Sequence, residues 1–359
     1  MARHQDIRMG HGACHARTIR LRSHGITLAD LLVLLAMVGL LLTVGLAVQA
    51  RSRETAYRAK CLSHLKQIGT ALRIYEVTSG NTYPRTIASV MTGNASPLPV
   101  WGTPYEQHPD VKASPTPVNP FDGKSPDHTP SPNDITASIY LLVSTADMPL
   151  EVFVCSNENP TATPWDFDGA SPDRWTNWRG NDGLARHFGY SFQNMFASDV
   201  AIERGFGWNS RQLTSEFAIA SDLAPGDVAL KAKLTDRAPL HMAANSFNHG
   251  RDGQNVLFGD GHADWSSTVF AGVDKDNIFT ANGPETGRAN ASPMIVASPV
   301  DANDSILLPT AQLLGVKPPE VREAETNLKV YGVIAGGILV FVIVWLLMRS
   351  SKRTSTPAA

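Results

Sequence analysis

The chain has 359 residues, of which 43% are hydrophobic and 18% charged, so it is neither a disordered tail nor a polytopic membrane protein. The formal net charge is −2, but both ends are basic, and the acidic body between them argues against nucleic acid as a partner. Three cysteines are too few for a disulfide scaffold.

Two apolar segments frame the chain and predict transmembrane helices. Residues 26–48 hold one charge, Asp30, and span roughly 35 Å as a helix, whereas residues 330–348 hold none and span about 28 Å. A buried core helix is the alternative for either segment. Basic residues precede the first segment and follow the second, so the positive-inside rule places both termini in the cytoplasm. We therefore expect a protein of the inner (cytoplasmic) membrane, with two spans in the lipid bilayer and a head in the periplasm or an equivalent outer compartment.

The junction between the leader and the first apolar segment is distinctive. A basic leader, residues 1–25, ends at Gly25, and Ile-Thr-Leu-Ala-Asp follows directly at positions 26–30. This resembles the type IV prepilin signature. The resemblance implies cleavage between Gly25 and Ile26 by a prepilin peptidase, methylation of the new amino terminus, and pairing of Asp30 with the terminal ammonium of an adjacent subunit. The alternative is an uncleaved signal anchor with an interfacial aspartate.

Beyond the first span, residues 49–83 are predicted to continue the helix as an amphipathic extension. Apolar residues recur there at helical spacing: Cys61, Leu65, Ile68, Leu72 and Tyr75. Gly80 and Pro84 are expected to end the helix. Residues 61–84 also resemble the region that follows the span in pseudopilin-like proteins.

Residues 84–283 are predicted to form an extracytoplasmic head. Its segment 93–133 is rich in proline and is expected to be a surface loop. A helix over 135–143 capped by Asp134 follows, and strands are expected at 151–155, 190–192 and 216–220. Cys61 and Cys155 are the cysteines expected outside the membrane, so they form a candidate disulfide that would tie the helix to the sheet. Alternatively, Cys61 is simply a small apolar residue on a buried stripe.

The strongest C-terminal pattern is a hairpin. Residues 254–258 and 262–266 alternate as strands, and the turn between them holds Asp260 and Gly261. The segment resembles the motif of prepilin-type processing-associated proteins, in which a histidine precedes an Asp-Gly pair. Here ten residues separate His249 from Asp260, one more than in that pattern. We expect both side chains to hydrogen-bond turn backbone, with a zinc site of His249, Asp260 and His262 as the alternative.

The remaining segments complete the predicted organisation. Residues 284–329 are expected to be a disordered connector, and residues 349–359 a cytoplasmic tail. The fold class is therefore α+β and pilin-like: a long N-terminal helix on an antiparallel sheet, followed by a C-terminal transmembrane helix.

The sequence contains no Gly-x-Ser-x-Gly, His-Glu-x-x-His or phosphate-binding motif, so we expect neither an enzyme nor a cofactor. The resemblance implies a pseudopilin-like subunit or accessory of a type IV pilus or type II secretion system. Its partners would be prepilin peptidase and other pilin-like subunits. The alternative is a doubly anchored extracytoplasmic binding or sensing protein that keeps its N-terminal signal anchor.

Overall fold

The computed structural model of the chain describes residues 28–88, 99–101, 130–155, 162–166, 175–178, 184–281 and 294–316. The leader, the second apolar segment and most of the proline-rich segment therefore lie outside the described residues. The chain divides into two compact units, of which the second is Val48–Glu325. The whole sheet belongs to the second unit.

The first helix, α1, covers Leu28–Thr78 and has Asp30 in its first turn. It ends two residues before Gly80, which has a φ of +75° and lets the chain turn away. Large side chains near its start are exposed: Leu28, Leu31, Leu32, Leu34, Leu35, Met37, Val38, Leu40 and Leu41. Within the part of the chain that the structure describes, no helix combines the length and apolarity needed to cross a membrane.

Among the residues that the structure describes, four further helices are shorter than α1. The second, α2, covers Ile135–Ala146, and Asp134 caps it by accepting a hydrogen bond from the backbone N–H of Ala137, so the predicted helix and its cap are confirmed. The others are α3 (Leu184–His187), α4 (Asp199–Glu203) and α5 (Ala238–Ala244).

The sheet has five strands: β1 (Tyr190–Gln193), β2 (Ala218–Asp222), β3 (Gln254–Phe258), β4 (Ala263–Ser266) and β5 (Leu307–Leu308). Their spatial order is β4-β3-β2-β1-β5, and every neighbouring pair is antiparallel. The predicted hairpin is confirmed as β3 and β4, with Asn255 opposite Trp265. The fold class is thus α+β, as predicted.

The strand predicted over residues 151–155 was wrong. Leu150–Phe153 forms a 3-10 turn, after which the backbone is extended at Val154. Pro149 opens the turn, and the N–H of Val152 and of Val154 both donate to carbonyls three residues back. Local hydrogen bonds thus take the place of a sheet ladder while the turn still buries its apolar side chains.

The expectation of a disordered connector also needs correction. Residues 294–316 belong to the folded body, and Leu307–Leu308 forms β5 beside β1. Ile306, Leu307 and Leu308 are fully buried, and the N–H of Ile306 donates to the side chain of Gln193 at 2.8 Å. Burial of this short apolar run explains why the segment is folded despite its prolines.

The second half of α1 packs directly on the sheet. Leu65, Ile68 and Leu72 are fully buried in the same core as Leu257 of β3. A Cβ at Gly69 would lie 2.8 Å from a methyl carbon of Leu257, so glycine permits this close approach. The predicted amphipathic stripe is therefore the face that α1 buries.

Candidate functional site

Four buried polar side chains converge beneath α1: Cys61, Cys155, Asp222 and His249. Their sulfur, carboxylate and imidazole atoms all lie within 4.8 Å of one another. All four residues are at most 5% exposed. We call this group the Cys-Cys-Asp-His cluster.

Each member of the cluster comes from a different element. Cys61 lies on the buried stripe of α1, and Asp222 is the last residue of β2. Cys155 follows the turn Leu150–Phe153 and packs against Gly189. A Cβ at Gly189 would lie only 2.5 Å from the backbone nitrogen of Cys155, so this contact requires glycine. His249 ends a 3-10 turn, Phe247–His249, just before β3. The cluster therefore exists only when helix, loop and sheet are assembled.

The imidazole of His249 is held at both nitrogens. Nδ1 lies 3.1 Å from Oε1 of Glu54, one further residue on α1. Nε2 faces the inside of the cluster, 3.3 Å from Oδ2 of Asp222 and 3.9 Å from Sγ of Cys155. The ring is therefore oriented with Nε2 toward the two cysteines and the aspartate.

The electrostatics of the cluster follow from its burial and its charges. Burial alone would lower the pKa of His249, but the charge and hydrogen bond of Asp222 raise it to about 12. A hydrogen bond from Cys155 lowers the pKa of the Cys61 thiol to about 7, against burial, which raises it. Asp222 therefore favours the protonated form of His249, and the Cys61 thiol ionises more readily than an ordinary cysteine.

Asp222 is only partly satisfied. Its Oδ2 accepts from the backbone N–H of Asn255 at 2.6 Å and from the Asn255 side chain at 3.0 Å. Its Oδ1 is buried and has no hydrogen-bond partner among the described residues. Such an orphaned carboxylate oxygen is costly in a protein interior.

An outer layer of side chains covers the cluster. Nε of Arg58 lies 2.8 Å from Oε1 of Glu54, and its guanidinium lies 4.1 Å over the ring of Trp265. Trp265 in turn packs edge-on against His249, with ring centroids 5.6 Å apart. This layer keeps water from the imidazole and neutralises Glu54.

The hairpin turn is a separate feature. Oδ1 of Asp260 accepts from the backbone N–H of His262 at 2.9 Å and contacts Nδ1 of the same residue at 2.5 Å. Gly261 has a φ of +91°. Burial would raise the pKa of Asp260, but the hydrogen bonds from His262 lower it. Asp260 therefore fastens the turn itself.

The structure does not bring His249 together with Asp260 and His262. His249 precedes β3 and the turn follows it, so a five-residue strand of about 16 Å lies between them. The hairpin motif thus divides between two places: its histidine joins the buried cluster, and its Asp-Gly pair forms the exposed turn.

The other predicted site residues are placed as follows. Cys61 and Cys155 lie together, as a disulfide would require, and are present as two separate thiols. Asp30 is exposed in the first turn of α1. Gly25 and Ile26 lie outside the described residues.

Sequence reasoning missed two members of the site. Glu54 precedes Cys61 by seven residues, two helical turns, so extending the stripe of α1 backwards would have found it. Asp222 gave no such signal, because its place depends on where β2 ends and on which strands flank it.

The geometry defines the class of fold: an α+β protein whose first helix packs on a five-stranded antiparallel sheet over a buried polar cluster. No family model matches the chain, and comparisons with curated proteins and with solved structures gave no match.

Proposed function

We propose that this chain is a non-enzymatic, pseudopilin-like membrane protein, trimmed by prepilin peptidase between Gly25 and Ile26. It would serve as a subunit or accessory of a type IV pilus or type II secretion assembly. The observation that carries the proposal is the division of α1 into an exposed apolar part and a part that packs on a sheet.

The exposed part of α1 is suited to lipid or to like helices. Nine of its large apolar side chains between Leu28 and Leu41 are exposed, over a stretch that includes most of the first apolar segment. From Cys61 onward the same helix buries one face against the head. Because exposed leucines are unfavourable in water, the first part requires either a bilayer or neighbouring helices around it.

Asp30 fits this function. An acid in the first turn of a helix is favoured by the helix dipole, but in lipid it is costly, up to about 2.5–3.5 kcal/mol at mid-helix. A free ammonium at Ile26 of a neighbouring subunit would offset that cost by pairing with the carboxylate. Assembly would then depend on cleavage, since an intact leader has no terminus at that position.

The segment 330–348 would restrict what the protein does in the assembly. Twelve of its 19 residues are Leu, Ile, Phe or Val, which contribute roughly 0.5 kcal/mol each on the insertion scale, so extraction is opposed by several kcal/mol. We therefore propose that the intact chain stays in the inner membrane as an accessory and does not enter a filament shaft.

The experiment that tests the proposal is sequencing of the mature amino terminus. The full chain is expressed with and without an active prepilin peptidase, and the purified protein is measured by N-terminal mass spectrometry. We expect a methylated Ile26 terminus only with the peptidase. Gly25→Val should block cleavage because a branched side chain replaces the hydrogen at the cleaved bond, whereas Gly12→Val, in the same leader, should not.

Retention of Met1 in the presence of active peptidase would contradict the prepilin function. That result would favour the alternative, a doubly anchored binding or sensing protein. Full-length chain in sheared surface filaments would contradict the accessory role alone.

A further inference from the structure

We infer that Cys61, Cys155, Asp222 and His249 bind one zinc ion as a closed structural site that fastens α1 to the sheet. The inference concerns the buried cluster and stands independently of prepilin processing.

The donor set has the chemistry that Zn²⁺ prefers. Structural zinc is bound by four ligands drawn from thiolates, imidazoles and carboxylates, and the cluster supplies two, one and one of these. The soft thiolates discriminate against Ca²⁺ and Mg²⁺, which prefer oxygen ligands only. Zn²⁺ with two thiolates, one carboxylate and a neutral imidazole gives a cluster with one net negative charge.

The distances are close to those of a tetrahedral site. With zinc about 2.3 Å from sulfur and about 2.0–2.1 Å from nitrogen or oxygen, ligand atoms lie roughly 3.3–3.8 Å apart. Nε2 of His249 is 3.3 Å from Oδ2 of Asp222 and 3.9 Å from Sγ of Cys155. The widest pair in the cluster is within 4.8 Å, so side-chain adjustments of about 1 Å complete the site.

Glu54 provides an independent reason for a metal. Zinc-bound histidines commonly donate their second ring N–H to a carboxylate, which fixes the tautomer and turns the lone pair of the other nitrogen to the metal. Nδ1 of His249 makes this contact to Glu54 at 3.1 Å, and Nε2 faces the other three donors. Arg58 holds Glu54 in place through its Nε.

Asp222 provides a second reason. Its carboxylate is fully buried at the end of β2, and its Oδ1 has no partner within the described part of the chain. Because Oδ2 already accepts two hydrogen bonds from Asn255, Oδ1 is the oxygen with a position left for a metal. The hydrogen bonds among the described residues alone leave that oxygen without a partner.

A disulfide is the competing state of the two cysteines. It would consume both thiolate ligands and explain only two of the four converging side chains. His249 and Asp222 point at the same space as the thiols, and a disulfide uses neither of them. Zinc accounts for all four side chains, and we therefore favour it over the disulfide.

The test is the metal content of the full chain. The protein is purified in detergent from cells supplied with ZnCl₂, dialysed against a weak chelator, and analysed by mass spectrometry for zinc. We expect about one zinc per chain. Replacement by CoCl₂ should give thiolate-to-cobalt charge-transfer absorption with tetrahedral d–d bands.

Matched variants identify the ligands. Cys61→Ser and His249→Gln should lower zinc affinity at least about tenfold, whereas His262→Gln, in the exposed hairpin turn, should not change it. Glu54→Gln should weaken binding about tenfold and keep the cobalt spectrum, because it alters the orientation of His249 and not the ligand set. Circular dichroism of each variant shows whether the fold is intact.

The wild-type measurements decide the matter even where a variant does not fold. A mass lower by two hydrogens in metal-free wild type, with Cys61 and Cys155 in one cross-linked peptide, overturns the inference in favour of a disulfide. Two alkylatable thiols with no zinc after addition of ZnCl₂ also overturn it. Zinc that persists in folded Cys61→Ser and His249→Gln would place the metal elsewhere and refute the site.

Discussion

Replacing Ile68 by alanine measures how strongly α1 is held on the sheet. Ile68 is fully buried in the core that also contains Leu65 and Leu257. The matched control is Ile74→Ala, because Ile74 lies on the same helix with 53% of its surface exposed. Both changes remove the same atoms and give the helix the same new residue, so helix propensity cancels.

The magnitude follows from the atoms removed. Isoleucine to alanine deletes three carbon groups, at about 0.8 kcal/mol each, and the cavity left in a packed interior adds a further cost. We expect Ile68→Ala to lower the free energy of unfolding by about 3–4 kcal/mol. Ile74→Ala should cost less than about 1 kcal/mol, because a half-exposed side chain leaves no closed cavity.

Urea unfolding of the full chain in detergent, followed by near-ultraviolet circular dichroism, gives the comparison. In a thermal scan, a loss of about 3–4 kcal/mol in Ile68→Ala corresponds to an unfolding midpoint roughly 6–16 °C below that of wild type. If the two variants unfold at the same urea concentration, α1 does not contribute its buried face to the cooperative core, and the packing described above is refuted.

Two further predictions concern buried polar groups near this core. Asp134→Ala should lower the free energy of unfolding by about 2–3 kcal/mol, because Asp134 caps α2 and accepts a hydrogen bond from Asn177 at 2.9 Å. Asp134→Asn keeps one acceptor oxygen and should cost less. Equal losses of stability in the two variants would contradict the role of Asp134 as the cap. Burial and the charge of Lys60 lower the pKa of His64 below its ordinary 6.5, so the unfolded chain binds the proton more readily. Stability should therefore fall as the pH drops below about 6.5. Chemical unfolding of His64→Gln, measured between pH 5 and 8, should show a smaller change of the free energy of unfolding with pH than wild type does. An equal change in both proteins would exclude His64 as the source of the pH dependence.

The features that sequence predicted are those set by neighbours along the chain. Helical spacing placed Leu65, Ile68 and Leu72 on one face, and the structure buries that face. The cap at Asp134 and the hairpin around Gly261 depend on contacts within a few residues, and both are present. Such features can be predicted from a single sequence because the interacting residues are close together along the chain.

The features that sequence missed depend on the order of strands. Asp222 reaches His249 because β2 lies next to β3, a pairing between segments about thirty residues apart. Leu307 and Leu308 form a strand of only two residues, too short to show a period. The residues of Leu150–Phe153 have the composition of a strand, but local hydrogen bonds hold them in a 3-10 turn.

The position of β5 has a consequence for how the protein is made. β1 is flanked on one side by β2 and on the other by β5, whose residues leave the ribosome more than a hundred positions later. Until Leu307 has emerged, the growing chain presents the outer backbone groups of β1 unpaired, an edge that invites association with other chains. A chain whose synthesis stops in the preceding segment would keep this edge of β1 exposed, so we expect the truncated product to aggregate more readily than the full chain.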